Sequence, residues 1–205
     1  MLTIYGVHRS RASRNIWLAH ELGLPFRLEP VMQHYRLKEP IPADVVHTRS
    51  SAFLKVNPNG HVPSIDDGGL VLHESLAINL YLAKKHGGPL APKDAAEDGQ
   101  MTMWALWAVT EVEPHALAVL QNGAPKAAVD ALRAPFGVLD AAVGDGHLVG
   151  GRFTVADINV AEVVRYAQGA TELFDAYPKV KAWLAACQAR PAFRKMWEGR
   201  ESEPA

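Results

Sequence analysis

The chain of 205 residues is 48% hydrophobic and 21% charged, with 21 Lys and Arg against 22 Asp and Glu for a formal net charge of −1. That length carries one large or two small compact units able to bury a core, and that composition excludes global disorder. The near-zero charge excludes a bulk field for nucleic acid or anionic lipid, no apolar run reaches bilayer-spanning length, and the lone Cys187 excludes an internal disulfide framework or paired-cysteine motif. A single cysteine suits a reducing compartment. The short apolar opening gives way to basic residues in the wrong order for a secretory signal, so the cytoplasm is the expected location.

Residues 2–5 form a short β-prone run that stops at Gly6, and residues 10–22 carry Ile16, Trp17, Ala19 and Leu22 on helical spacing. Gly23 and Pro25 then close the helix. Phe26 and Leu28 alternate with Arg27 and Glu29, a half-buried strand completing a parallel β-α-β unit. Residues 32–51 are polar, with Pro40 and Pro42, and read as a long loop of the kind that carries function. Residues 62–65 and 70–72 flank Asp66-Asp67-Gly68-Gly69, the strongest hairpin signal in the chain, so those strands run antiparallel. Residues 75–85 return to helical spacing through Leu76, Ile78, Leu80 and Leu82. The order β-α-β-loop-β-β-α is that of an α/β thioredoxin-like N-terminal domain.

Gly87, Gly88, Pro89 and Pro92 open a polar stretch that reads as a linker. The expected division is therefore a first domain over 1–86, a linker over 87–99, and a second domain over 100–205. Beyond the linker the chain is rich in Ala, Leu and Val, has no convincing strand pair, and is punctuated at Gly123, Pro125, Gly144, Gly146 and Gly169. The second domain is expected to be all-α, with helices over 100–113 and 180–187 among others. Cys187 reads as a buried small hydrophobe, and residues 198–205 are polar and expected to fray.

Two segments have chemistry to offer. In Asn57-Pro58-Asn59-Gly60-His61-Val62-Pro63 a proline opens a strand. Either Pro63 is a plain strand start, or the Val62–Pro63 bond is cis and turns the Val62 N–H and C=O outward to pair with an extended peptide. In His73-Glu74-Ser75 the serine suits a helix N-cap. The same helix end, with its free N–H groups and dipole, favours a carboxylate, and the adjacent Glu74 suits an amino group. Side by side, the two fit a zwitterion.

Together these segments resemble the glutathione transferase superfamily, whose first domain has an Asn-Pro-x-Gly-x-Val-Pro segment, a hairpin, and a Glu-Ser pair opening a helix. The likeness continues in the second domain. There Gly150-Gly151-Arg152-Phe153-Thr154-Val155-Ala156-Asp157-Ile158 is similar to the family's capping box and folding motif, Thr154 and Asp157 having the spacing for reciprocal capping. The segments Tyr177-Pro178-Lys179-Val180-Lys181-Ala182-Trp183 and Arg190-Pro191-Ala192-Phe193 are similar to its closing helices.

The resemblance implies glutathione as co-substrate, its cysteinyl backbone on Val62 before a cis Pro63 and its glutamyl end at Glu74 and Ser75. It implies a place for His61 at the glycyl end, with His47 and Arg49 as further basic candidates. The chemistry needs the thiol as thiolate, and the thiol's unperturbed pKa of about 8.5 must be lowered by a hydrogen bond to sulfur and the positive end of the first helix. Three hydroxyls stand in the family's donor region. Ser10 lies four residues before Arg14, the spacing of the serine-type bacterial and fungal members. Tyr5 ends the first strand, as in the tyrosine-type classes, and Ser13 is the third. Ser10 and Ser13 are equally able to cap the helix.

No cysteine lies near that region, which argues against mixed-disulfide chemistry. The resemblance implies that the helical domain holds a hydrophobic electrophile, along the helix over 100–113. Met101, Met103, Trp104 and Trp107 read first as packing; Trp107 and Glu111 are the candidates for substrate contact. Glu111, Glu113 and His115 are either solvated charge or within reach of glutathione's amino group. The implied activity is addition of the thiolate to an electrophile. A glutathione-dependent isomerase, dehalogenase or peroxidase, or a noncatalytic binding module, remains open. The resemblance further implies a homodimer and calls for no metal, nucleic acid or membrane.

Overall fold

The computed structural model describes residues 1–203, which divide into two units. One comprises Met1–Tyr81 with the segment from Pro191 onward, the other Leu82–Arg190. In the first, β1 (Leu2–Tyr5) is an inner strand of the sheet, with Leu2, Thr3 and Ile4 buried in succession on both faces. It pairs in parallel with β2 (Phe26–Glu29) and antiparallel with β3 (Ser64–Asp67), which pairs antiparallel with β4 (Leu70–His73). The order is β2-β1-β3-β4. The crossover between β1 and β2 is α1 (Ala12–Glu21), whose Ile16, Trp17 and Leu18 are fully buried.

The hairpin is tighter than its sequence suggested. Asp66 and Asp67 belong to β3, and Gly68-Gly69 alone makes the turn, with Asp66 Oδ1 accepting from the Gly69 N–H at 2.8 Å. β3 starts at Ser64, after Pro63, because proline has no N–H to give the ladder. The long loop is pinned rather than loose. A parallel bridge joins Met32 to His47, a single 3-10 turn spans His34–Arg36, and α2 (Ser51–Leu54) ends it. α3 (Ser75–His86) then begins directly after β4.

The second unit is helical. α4 (Ala95–Trp107) runs through a π-helical segment, Ala108–Val112, into α5 (Glu113–Asn122). A single helix over 100–113 was the expectation. The wider turn arises where Pro114 approaches, since proline removes a hydrogen bond and crowds the carbonyl one turn earlier. α4 also starts earlier than expected, inside the stretch read as linker, because Asp94 caps it by accepting from the Glu97 N–H at 2.9 Å. Arg152 ties the preceding turn to that helix, bonding Glu97 at 2.8 and 2.6 Å and the carbonyls of Pro89 and Ala91.

α6 (Lys126–Ala142), α7 (Val155–Val164), a 3-10 turn at Arg165–Gly169, α8 (Thr171–Ala176) and α9 (Pro178–Gln188) complete the unit. Every residue of α7 is buried, which makes it the core helix. The capping box at its start is present, with Asp157 Oδ2 accepting from the Thr154 N–H at 2.9 Å. Asp157 Oδ1 also takes the Leu148 N–H and the Trp183 indole, at 3.1 and 3.0 Å. Burial pushes its carboxyl up, against the pull of these donors. Cys187, in α9, is a free and buried thiol.

The chain returns to the first unit as α10 (Pro191–Ser202). Phe193 meets Trp17 of α1 edge-on at 5.0 Å, and Met196 is fully buried. The expected fraying over 198–205 is thus corrected: the helix continues to Ser202, and Glu203 is hydrogen-bonded to His8 and Arg9. Pro204 and Ala205 lie outside the described residues. Among the described residues no helix is long and apolar enough to cross a membrane, and no cluster of His, Cys, Asp and Glu could hold a metal.

Candidate active site

The Val62–Pro63 bond is cis. The turn before it is built by Asn57, which is 1% exposed. Its Nδ2 donates to the His61 carbonyl at 2.8 Å and to Ser64 Oγ at 3.2 Å, and its Oδ1 accepts from the Asn59 N–H at 3.0 Å. His73 reaches the same Ser64 hydroxyl at 3.1 Å from β4. Among the described residues no hydrogen bond reaches the Val62 N–H or C=O. Both groups are therefore left without a partner within the described residues. The His61 side chain is exposed beside it.

Across the hairpin, Glu74 has φ +67°, in the left-handed region that a non-glycine residue occupies at a cost of order 1–3 kcal/mol. Its carbonyl accepts from Ile78, the first bond of α3, while its side chain is exposed. Ser75, expected to cap this helix, has another task. Its Oγ accepts from Arg14 Nη1 at 3.0 Å, and Arg14 is 1% exposed. Asn15 Nδ2 donates to the Ser75 carbonyl at 2.8 Å and to Asn79 Oδ1 at 2.7 Å, and Asn79 donates back to the Arg14 carbonyl at 3.2 Å. A buried guanidinium thus stands behind the N-terminus of α3, adding positive charge to the helix dipole.

The three candidate hydroxyls differ sharply. Ser13 is fully buried inside α1, out of reach of a ligand. Tyr5 is half-buried at the end of β1, its ring tilted against Phe53 at 6.3 Å. Ser10 stands at the start of α1, where its Oγ accepts from the Ala12 N–H at 3.1 Å and donates to the Val7 carbonyl at 2.7 Å. The N-cap position is Arg11, which has no side-chain cap, so Ser10 meets the first helical N–H from one place earlier rather than as the cap. The same geometry puts its oxygen at the positive end of the helix.

Ser10 and Val62 are neighbours. A Cβ on Gly6, whose φ is +149°, would lie 3.4 Å from Ser10 Oγ and 3.6 Å from Val62 Cβ, and would collide with Ala12 Cβ at 2.7 Å. Only glycine lets β1 end this close to both. In the long loop His47 is half-buried against His34, with rings 5.1 Å apart, and Arg49 is exposed.

In the helical unit, Trp107 is half-buried and meets Trp104 edge-on at 5.0 Å. Glu111 is exposed on the π turn, His115 is half-buried, and Glu113 is buried. Met103 is 52% exposed, which removes the core half of its packing reading and leaves the interface half, whereas Met101 is fully buried.

Sequence reasoning passed over Asn15, Asn79 and Glu203, gave Asn57 no role of its own within its segment, and used Arg14 only as a spacing marker. Asn57 had a signal, since an asparagine ahead of a Pro-Asn-Gly turn is suited to bond the backbone two residues on, as it does with Asn59. The pairing of Arg14 with Ser75 spans 61 residues and leaves no local trace.

Residues 9–85 match the model of the glutathione S-transferase N-terminal domain, and residues 105–186 that of the glutathione S-transferase C-terminal domain. Glutathione S-transferase 3 of Zea mays is 32% identical, over 95% of this chain and 92% of its own. A solved structure of glutathione S-transferase III in apo form is 29% identical with a TM-score of 0.78, covering 100% of this chain and 99% of that one. A glutathione transferase family member from Pseudomonas fluorescens Pf-5, solved with two glutathione bound, is 26% identical with a TM-score of 0.78, covering 95% of this chain and 91% of that one. The N-terminal model spans the cis-proline turn and the Glu-Ser helix start, the C-terminal model follows it in order, and a relative above 30% identity runs along nearly the whole length: this chain belongs to the glutathione S-transferase family.

Proposed function

We propose that the protein is a serine-type glutathione transferase, with Ser10 as the hydroxyl that meets the sulfur. The observation that carries this reading is the position of Ser10 Oγ, at the N-terminus of α1 and beside the open peptide of Val62. Glutathione's cysteinyl backbone pairs with the Val62 N–H and C=O. Its glutamyl carboxylate takes the Ser75 hydroxyl and the start of α3, its amino group meets Glu74, and its glycyl end lies toward His61. The thiol then reaches Ser10. The hydroxyl proton turns from the Val7 carbonyl to the sulfur, while the Ala12 N–H continues to donate to Oγ. That bond and the helix dipole favour the thiolate, lowering its pKa from about 8.5 toward neutrality.

The thiolate attacks an electrophilic carbon to form a C–S bond. In substitution the leaving group departs with the bonding electrons; in conjugate addition the resulting carbanion takes a proton from solvent. Trp107 and Glu111 are the proposed contacts for the hydrophobic second substrate. Tyr5 is the second choice of donor, and the full burial of Ser13 ranks it last. The reading extends to a cytoplasmic homodimer that detoxifies electrophiles. Exposed Leu70 and Val71 on β4, and Met103 and Leu106 on α4, support self-association.

Retention on immobilised glutathione together with turnover of 1-chloro-2,4-dinitrobenzene is the expected result. Tight glutathione binding with no turnover of any electrophile contradicts the transferase reading, and turnover of cumene hydroperoxide alone makes the protein a peroxidase. Light scattering that gives a monomer contradicts the dimer.

A further inference from the structure

The loop that carries Ser10 is held by the far end of the chain. Its two central N–H groups, of His8 and Arg9, both donate to the carboxylate of Glu203, at 2.7 Å to Oε1 and 2.8 Å to Oε2. The His8 ring adds a third bond, from Nδ1 to Oε1 at 2.9 Å. Because a carboxylate only accepts, that nitrogen carries a proton. The grip is mutual. Arg200 Nη1 donates to the His8 carbonyl at 3.0 Å, and Arg9 Nε donates to the carbonyls of Arg200 and Glu203 at 3.1 and 3.0 Å.

A separate feature of α10 serves the same contact. A Cβ on Gly199 would stand 2.4 Å from His8 Nε2 and 2.6 Å from Cδ2, so the imidazole lies directly on the bare backbone of the helix. Glycine inside a helix is ordinarily unfavourable. Here it is the residue that lets His8 come close enough to reach Glu203. The aromatic pairing of Phe193 with Trp17 and its stacking on Trp197 at 5.6 Å fix α10 against α1, so the carboxylate is delivered from a rigid support.

We infer that Glu203 is a positioning residue for the thiolate-stabilising loop: by binding the His8 and Arg9 N–H groups it sets where Ser10 Oγ stands at the start of α1. The inference builds on the proposed role of Ser10 and adds that the C-terminal end of α10 tunes it. Without the carboxylate, two adjacent N–H groups turn to water and the loop gains freedom two residues before Ser10. The hydrogen bond to sulfur is then made less often, and the bound thiol holds its proton to higher pH.

The test compares Glu203→Ala, Gly199→Ala and the control Glu198→Ala. Glu198 is exposed on the same helix. The readout is the pH dependence of kcat/KM with 1-chloro-2,4-dinitrobenzene and of thiolate absorbance with glutathione bound. Glu203→Ala and Gly199→Ala should each raise the midpoint by about one unit, which lowers the rate roughly tenfold below the midpoint and restores it at high pH. Glu198→Ala should leave the profile in place. Amide exchange in residues 6–11 should quicken in the first two variants while α10 stays protected. A lower melting temperature with an unmoved midpoint overturns the inference. If Ser10→Ala leaves the midpoint unmoved while Glu203→Ala raises it, the role of Ser10 fails and the loop latch stands; the opposite pair of results sinks the latch and keeps Ser10.

Discussion

Replacing Asn57 with Ala should weaken glutathione binding without touching any group that meets the ligand. Asn57 is buried and makes three hydrogen bonds, to the His61 carbonyl, the Ser64 hydroxyl and the Asn59 N–H. At about 1 kcal/mol each, their loss costs about 2–3 kcal/mol of stability. The two bonds that close the turn itself, to Asn59 and His61, account for about 2 kcal/mol, roughly thirtyfold in the equilibrium between closed and open turn. That factor is the ceiling on the loss of affinity. The proposed pairing of Val62 with the glutathione backbone would be the same in ground and transition states, so the loss belongs in KM. Steady-state kinetics with glutathione varied should show KM raised by roughly three- to thirtyfold with kcat within about twofold, and urea unfolding should show the stability loss. A KM within twofold of the parent refutes the reasoning, as does a collapse of kcat at constant KM.

In the helical unit, Asp157→Ala removes the acceptor for the Thr154 and Leu148 N–H groups and the Trp183 indole. Two buried donors and one half-buried donor without a partner predict a loss of about 3–5 kcal/mol in denaturant unfolding, and a loss below about 1 kcal/mol contradicts it. Glu97 tests the opposite unit boundary of pH. The Arg152 guanidinium holds its carboxyl at about 2, below the ordinary 4.5. A depressed carboxyl stabilises the fold above its unfolded pKa and loses that contribution as pH falls through the folded value. Glu97→Gln should therefore be less stable than the parent at pH 7, with the gap closing between pH 4.5 and 2. A gap unchanged from pH 5 to pH 2 rules out the ion pair as its source.

What was legible in the sequence was what is local. Thr154 and Asp157 are three residues apart and cap their helix as their spacing said, and the Gly68-Gly69 hairpin and the alternation of Phe26 to Glu29 are of the same kind. The cis bond before Pro63 was one of two open readings, because nothing within the segment chooses between them. What stayed hidden was long-range. The polar residues from Glu198 onward look like a solvated tail, since their hydrophobic content is low, yet Glu203 is held by a loop 195 residues away. Ser75 looked like a cap because the residue that takes its hydroxyl, Arg14, is brought to it only by the packing of α1 beside α3. The π segment escaped notice because Pro114 was read as punctuation inside one helix rather than as the cause of a widened turn.

The central claim is that the Ser10 hydroxyl, at the positive end of α1, sets the ionisation of the glutathione thiol. Its direct measurement is a titration of the ultraviolet absorbance of the thiolate with glutathione bound to the parent, to Ser10→Ala and to Tyr5→Phe. The expected midpoint rises toward about 8.5 in Ser10→Ala and stays in place in Tyr5→Phe. An unmoved midpoint in Ser10→Ala, with the shift appearing in Tyr5→Phe, contradicts it.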